Sequence, residues 1–376
     1  MAVSSPERVG ARDAPSSSYR LEQPAPGAPG AGAEGLGGRR GYLLFAVLGA
    51  SVLAVAIGAL AVGRYMVPLG EVFRILVSRL VPLHRTWTVT DQDVVVLLRL
   101  PRALLTVVVG AGLALCGAVL QAVLRNPVAD PQLLGVSYGA SFGGALAILL
   151  GLSTVALMAG AFGFGLVVLV VVFVLGRSAG PAPTLTIVLS GVVTGAFFSA
   201  LVSFTTYIAN PETQLQSIVF WLLGSFATAT YSADLVAGVP VALGAATVLA
   251  LRWRLNVLSL GDEEARSLGV NPQATRWCLL VAVAVMASAS VAVSGAIGWV
   301  GLVVPHLARP FSGSDHRRLL PAAALLGAAY LTVMDTLART LLPTELPVGI
   351  LTAVVGAPTF FVLLRRHHRR AVWVDV

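Results

Sequence analysis

Arg99–Gly151, RLPRALLTVVVGAGLALCGAVLQAVLRNPVADPQLLGVSYGASFGGALAILLG, is the stretch on which the fold turns. It opens on Arg99 and Arg102 around a proline and runs apolar from Ala103 to Leu124. It breaks at Arg125–Pro131, then turns apolar again at Leu133 with Gly135, Gly139, Gly143 and Gly144. Pro127 and Pro131 stand four residues apart. Each lacks an N–H and clashes with the turn before it, so no single straight helix holds both. Two membrane-length helices therefore meet at a polar corner. In a bilayer such backbone survives only where protein or a water-filled path surrounds it, and transporters build pathways from interrupted helices. Taken alone, the stretch fits both a pathway element and an ordinary loop between spans.

Composition sets the class. The 376 residues are 57% hydrophobic and 11% charged, against roughly 25% charged in soluble chains, and the mean hydropathy is +0.87. The expectation is an all-α, polytopic membrane protein. The net charge of +8 then reflects arginines at cytoplasmic helix ends and calls for no nucleic acid. Every basic residue is arginine. Without lysine there is no P-loop and no Schiff base, and no Cys/His cluster has the spacing of a metal site. Cys116 and Cys278 sit in separate apolar runs and read as small hydrophobes.

Residues 1–38 are rich in Ser, Pro, Gly and Ala and cannot bury enough surface to fold, so they read as a disordered cytoplasmic tail before a membrane domain over 39–376. About ten spans are expected: 42–62, 103–124, 133–152, 154–175, 184–208, 234–251, 277–294, a glycine- and proline-broken run over 295–311 helical from Trp299, 319–341 and 348–364. Leu69–Leu80 reads as a short amphipathic piece, and 211–231 as a surface or re-entrant helix. Both termini fall inside. Outside the tail, fifteen arginines then lie inside and seven outside, as the positive-inside bias requires. The exceptions Arg99, Arg102 and Arg339 sit at outer helix ends. Asp335, four residues before Arg339, is placed to pair with it, and such arginines also snorkel to headgroups.

A second signal lies between the sixth and seventh spans, over about 258–270. Ser259 or Asp262 is placed to cap a short helix, Glu263 and Glu264 suit its first turn, and Gly269 and Pro272 end it. Ala265 and Leu268 share a face. Arg266 completes the helix. So short a helix is unstable alone, so its apolar face needs a receiver: either this chain's own helix ends or a docked partner.

Together these pieces resemble the FecCD/BtuC-type permease subunit of a type II ABC importer. The resemblance rests on Arg99 to Arg102, Gly117 to Gln121, Asn126-Pro127 with Asp130-Pro131, and Leu134 to Ser137 with Gly139. It continues through Leu260-Gly261 with Ala265, Leu268 and Gly269, then Gly295 to Gly298 with Gly301 to His306, Asp335 with Arg339, and Glu345 to Gly349 with Gly356 to Pro358. It covers nearly everything after the tail. It implies a ten-helix subunit of the bacterial plasma (inner) membrane, paired with a second copy or a related permease around a central pathway. ATP and magnesium would be held by separate ATPase subunits, with no cofactor or metal on this chain and no catalysis by it. Residues 261–269 (Gly261, Asp262, Glu263, Glu264, Ala265, Arg266, Leu268, Gly269) would form the helix that couples to the ATPase. Arg99, Arg102 and Arg339 would meet acidic residues of an extracytoplasmic substrate-binding protein. Gln121, Asn126, Pro127, Pro131, Gly135, Ser137 and Gly139 would line or shape the translocation pathway. His306 would be structural. The implied cargo is a ferric siderophore, with haem and cobalamin as alternatives.

A reading of another class is an autonomous channel or ion-coupled carrier, which needs an acidic or histidine residue deep in a span. Only Asp335 and Asp130 are candidates, both near span ends. A membrane-embedded enzyme lacks any acid/base or metal constellation.

Overall fold

A computed structural model describes residues 39–177 and 183–372. The expected tail over 1–38 and the turn proline Pro181 lie outside the described residues. Contacts divide the chain into a unit ending at Leu43 and one from Leu44 onward, and the sites below all belong to the second.

Among the described residues every regular element is helical. The chain runs through α1 (Arg39–Ala61), α2 (Leu69–Val77), α3 (Val89–Asp93), α4 (Leu100–Val123), α5 (Val136–Leu149), α6 (Thr154–Arg177), α7 (Pro183–Ile208) and α8 (Leu215–Leu222). It continues through α9 (Tyr231–Ala250), α10 (Arg252–Leu260), α11 (Asp262–Ser267), α12 (Pro272–Ser294), α13 (Val300–Ser312), α14 (His316–Ala338) and α15 (Val348–Val372). Seven helices are long and apolar enough to cross a bilayer; α5 and α15 supply shorter apolar helices, and α13 has 13 residues. The expected ten rods are present, but α5, α13 and the apolar part of α15 (Val348–Leu363) fall short of a full crossing of about 20 residues.

Two boundaries differ from expectation. The second span begins not at 103 but at Val89, because Thr88 and Asp91 form a reciprocal capping box that starts a helix inside the polar stretch. A π-helical segment, Val94–Arg99, joins α3 to α4 in one 35-residue rod. The third span starts at Val136 rather than 133 because a short 3₁₀ turn, Pro131–Leu134, takes up its first residues. Asp130 caps that turn, accepting from the N–H groups of Gln132 at 2.9 Å and Leu133 at 3.4 Å.

The core is built on α4 and α12, whose apolar stretches are each 78% buried, against 17% for α1. Helix α4 packs on α14, α9, α13 and α12. A Cβ on Gly117 would collide with the Gly301 carbonyl, so glycine here sets the approach of α4 to α13, as small residues do between membrane helices.

Candidate functional site

Three places carry polar chemistry: the N-terminal end of α4, its C-terminal end, and a hollow beside the corner that follows.

At the N-terminal end, Arg102 lies between two carboxylates. Its Nε and Nη2 donate to Asp335 at 2.8–3.1 Å, and its Nη2 and Nη1 donate to Glu345 at 2.6 and 3.3 Å. Asp335 is 3% exposed. The expected Asp335–Arg339 pair is only a 3.8 Å contact, because α4 brings a guanidinium from 233 residues away into bidentate reach. Arg99, expected at the exposed outer rim, is 7% exposed and donates to the carbonyls of Leu60, Ala61 and Tyr65. It satisfies the carbonyls left open where α1 ends. Arg339 likewise donates to the Ala59 carbonyl. What remains open is a depression of about 320 Å³ whose lining includes Arg64, Arg99, Arg102, Arg339 and Glu345. Glu345 went unassigned from sequence; its signal was an acidic residue just ahead of the last apolar run.

At the C-terminal end of α4, Arg125 takes a left-handed backbone (φ 49). Its Nη2 donates to the Leu258 carbonyl at 2.8 Å and to Asp262 Oδ1 at 3.2 Å. Arg276 donates to the same oxygen at 3.0 Å. Asp262 is therefore tied up in ion pairs and does not cap α11; the N-cap is Gly261, with no side-chain bond, and Ser259 bonds back to Asn256. The shared face expected for Ala265 and Leu268 divides: Ala265 is fully buried in the main core, while Leu268 is 53% and Leu260 64% exposed. Of the two receivers envisaged for that face, this chain takes Ala265, and Leu260 and Leu268 stay open. Glu263, Glu264 and Arg266 stand exposed and Gly269 closes the helix with φ +76. Helix α10, unforeseen as an element, is held to α14 by Asn256, which donates to Asp315 at 2.6 Å and accepts from the His316 N–H.

The corner itself is compact. Asn126 Oδ1 accepts from the Val128 N–H at 3.0 Å, and His306 Nε2 lies 2.8 Å from the Pro127 carbonyl, which requires the Nε2–H tautomer to donate there. Arg309 reaches His306 Nδ1 at 2.9 Å and Gln121 Oε1 at 2.6 Å, so Gln121 is buried in a bond network. Pro131 packs beside Gly301, Gly139 against Phe164 and Val168, and Gly135 (φ +73) against the backbones of Gly191 and Gly195. At Gly135 both the backbone sign and the closeness require glycine. Ser137 is half-buried.

A hollow of about 510 Å³ lies alongside, lined by Val128, Asp130, Gln132, Leu133 and Tyr138 from the corner and α5, by Gly191, Val192, Gly195, Ala196 and Ser199 from α7, and by Trp299 and Leu302 from α13. None of the expected pathway residues is among its lining. Gly135 stands behind it, against the lining residues Gly191 and Gly195. Burial pushes the Asp130 carboxyl above its ordinary range, opposed by the N–H groups it accepts from. Trp299, expected to open the helix, instead precedes α13 as its N-cap with φ 70, since a left-handed tryptophan has no local signal. No group of three or more metal-ligating side chains occurs among the described residues.

The FecCD transport family model matches residues 51–366. A molybdate import system permease protein of Haemophilus influenzae is 41% identical, over 85% of this chain and 94% of its own length. A Helicobacter pylori protein named as an iron chelatin transport system permease is 46% identical, over 76% and 86%. A solved inward-facing structure of an ABC transporter of metal-chelate type superposes with a TM-score of 0.78 at 40% identity, over 87% of this chain and 99% of that one. The interrupted helices, the ion-paired end of α4 and the short helix α11 are thus features of a multi-pass ABC importer permease, and this chain belongs to the FecCD transport family.

Proposed function

We propose that the chain forms one half of the membrane pathway of a bacterial importer for ferric siderophores, working by alternating access and driven by ATP hydrolysis on separate subunits. The observation that carries the cargo assignment is the 46% identity to a relative named for iron chelatin. In this reading the arginine-rich end of α4 faces outward. The depression around Arg64, Arg99, Arg102 and Arg339 receives acidic side chains of a substrate-binding protein. The α11 end faces the cytoplasm, together with both termini, and the exposed Leu260 and Leu268 enter a groove of the ATPase. A second permease closes the 510 Å³ hollow into a pathway, through which cargo released by the binding protein passes without a tight site.

A second cargo, molybdate, is favoured by the relative that matches the larger share of this chain. The test is a pull-down from native membranes in mild detergent with the associated proteins identified. An ATPase, a binding protein and a second permease are expected, and the recovered binding protein should bind radio-iron-labelled ferric hydroxamate rather than molybdate. Recovery of this chain alone, even under crosslinking, would return the protein to the autonomous carriers; molybdate binding would move the cargo to the oxyanions. Arg64→Glu should slow docking of the binding protein and weaken its salt dependence.

A further inference from the structure

Arg125 is one of two non-glycine residues with positive φ among the described residues, a conformation that costs an L-residue energy and persists only where surrounding structure enforces it. What enforces it is visible on both sides. Behind it, α4 ends at Val123 with Leu124 as its C-cap. Ahead, the chain must enter the Asn126–Pro131 corner. The side chain reaches across to α10 and α11, and bonds to each side of Gly261: the Leu258 carbonyl before it and Asp262 after it. Gly261 has φ 155 and joins the two helices with no side-chain cap.

We propose that Arg125 is the positioning residue that carries movement of α11 into the wall of the 510 Å³ hollow. This rests on the proposed role of α11 as the ATPase contact. The path is short: Val128 and Asp130, three and five residues beyond Arg125, line the hollow. Within the corner Asn126 bonds to the Val128 N–H, and His306 ties the Pro127 carbonyl to α13, the helix that supplies Leu302 to the same wall. The link also has two states built into it. Asp262 Oδ1 is shared by Arg125 and Arg276. Arg276 is 4% exposed, with its Nε and Nη1 unbonded, so surrendering its carboxylate would strand a buried charge. Arg125 is 47% exposed, and water takes over its hydrogen bonds when it lets go. When α11 tilts about Gly261, Asp262 therefore stays with Arg276 and releases Arg125, which keeps its bond to the Leu258 carbonyl on α10, and the corner loses its tie to α11. A coupling claim needs such a bistable element, and this one is made of named bonds.

The test needs no cargo. In a Cys278→Ser background, Val128→Cys is labelled with fluorescein maleimide in the assembled permease–ATPase complex, with and without vanadate-trapped ATP. The wild-type Arg125 chain is expected to label at different rates in the two states, and Arg125→Gln to shrink that ratio at least about fivefold, the low end of measured couplings. ATPase capture is expected to remain, because Asp262 keeps Arg276. Arg125→Lys, which still reaches Asp262, should restore part of the ratio. Arg125→Asn, which suits the left-handed backbone, is the second variant and must behave as Arg125→Gln does. Equal labelling in both states for the wild-type chain, or an undiminished ratio in either neutral variant, overturns the proposal and leaves the ATPase contact standing. Failure of the wild-type chain to hold an ATPase overturns both.

Discussion

The two ends of α4 carry arginines of opposite character. At its start, Arg102 is 12% exposed and shared by Asp335 and Glu345, and Arg99 is spent on the carbonyls that end α1. At its close, Arg125 is 47% exposed and holds a carboxylate that a second arginine already holds. Burial makes the first set part of the fold, because losing one partner leaves an uncompensated charge with no water to take it. Solvation makes Arg125 exchangeable, because its bond to Asp262 is replaced at small cost. One end is built to stay as it is, and the other to change partners.

The sharpest way to break that contrast is Arg102→Ala. It should destabilise the fold by about 3–5 kcal/mol, read as a lowered unfolding midpoint in detergent; a loss below about 1 kcal/mol would mean the outer network is as replaceable as the inner one. Next is Leu268→Asp, which puts a charge on the exposed apolar spot beside the buried Ala265. It should weaken ATPase capture by about 2 kcal/mol or more with the unfolding midpoint unchanged, and retained capture would remove α11 from the interface. Gly135→Ala, at φ +73 against Gly191 and Gly195, should cost about 1–2 kcal/mol of stability for the left-handed backbone alone; a neutral result would show that α5 and α7 are free to separate at the hollow. Arg125→Gln should have the smallest effect on stability, below about 1 kcal/mol, and a larger loss would place Arg125 in the class of Arg102.

The site was legible where chemistry is written locally. Two prolines four residues apart announced the corner, an acidic first turn with a following glycine announced α11, and charged residues beside apolar runs announced the arginines at the start of α4. It was illegible where partners come from afar. Glu345 and Asp335 meet Arg102 only because α4, α14 and the segment before α15 pack together, and Arg99 turns inward because α1 ends beside it. The lining of the hollow was hidden for the same reason. The glycines visible in the pattern are there to let helices touch, so the lining falls to Tyr138, Ser199 and Trp299, which no spacing singles out.

Hydropathy, the all-arginine charge and the proline-broken runs were enough to dictate a polytopic helical membrane protein with interrupted helices, because a bilayer admits few backbones and penalises every misplaced charge. The division of arginines into anchors and releasable links was decided only in three dimensions, because it depends on how much water reaches each guanidinium and on which carboxylate stands within about 3 Å of it, neither of which is a property of the residues next along the chain.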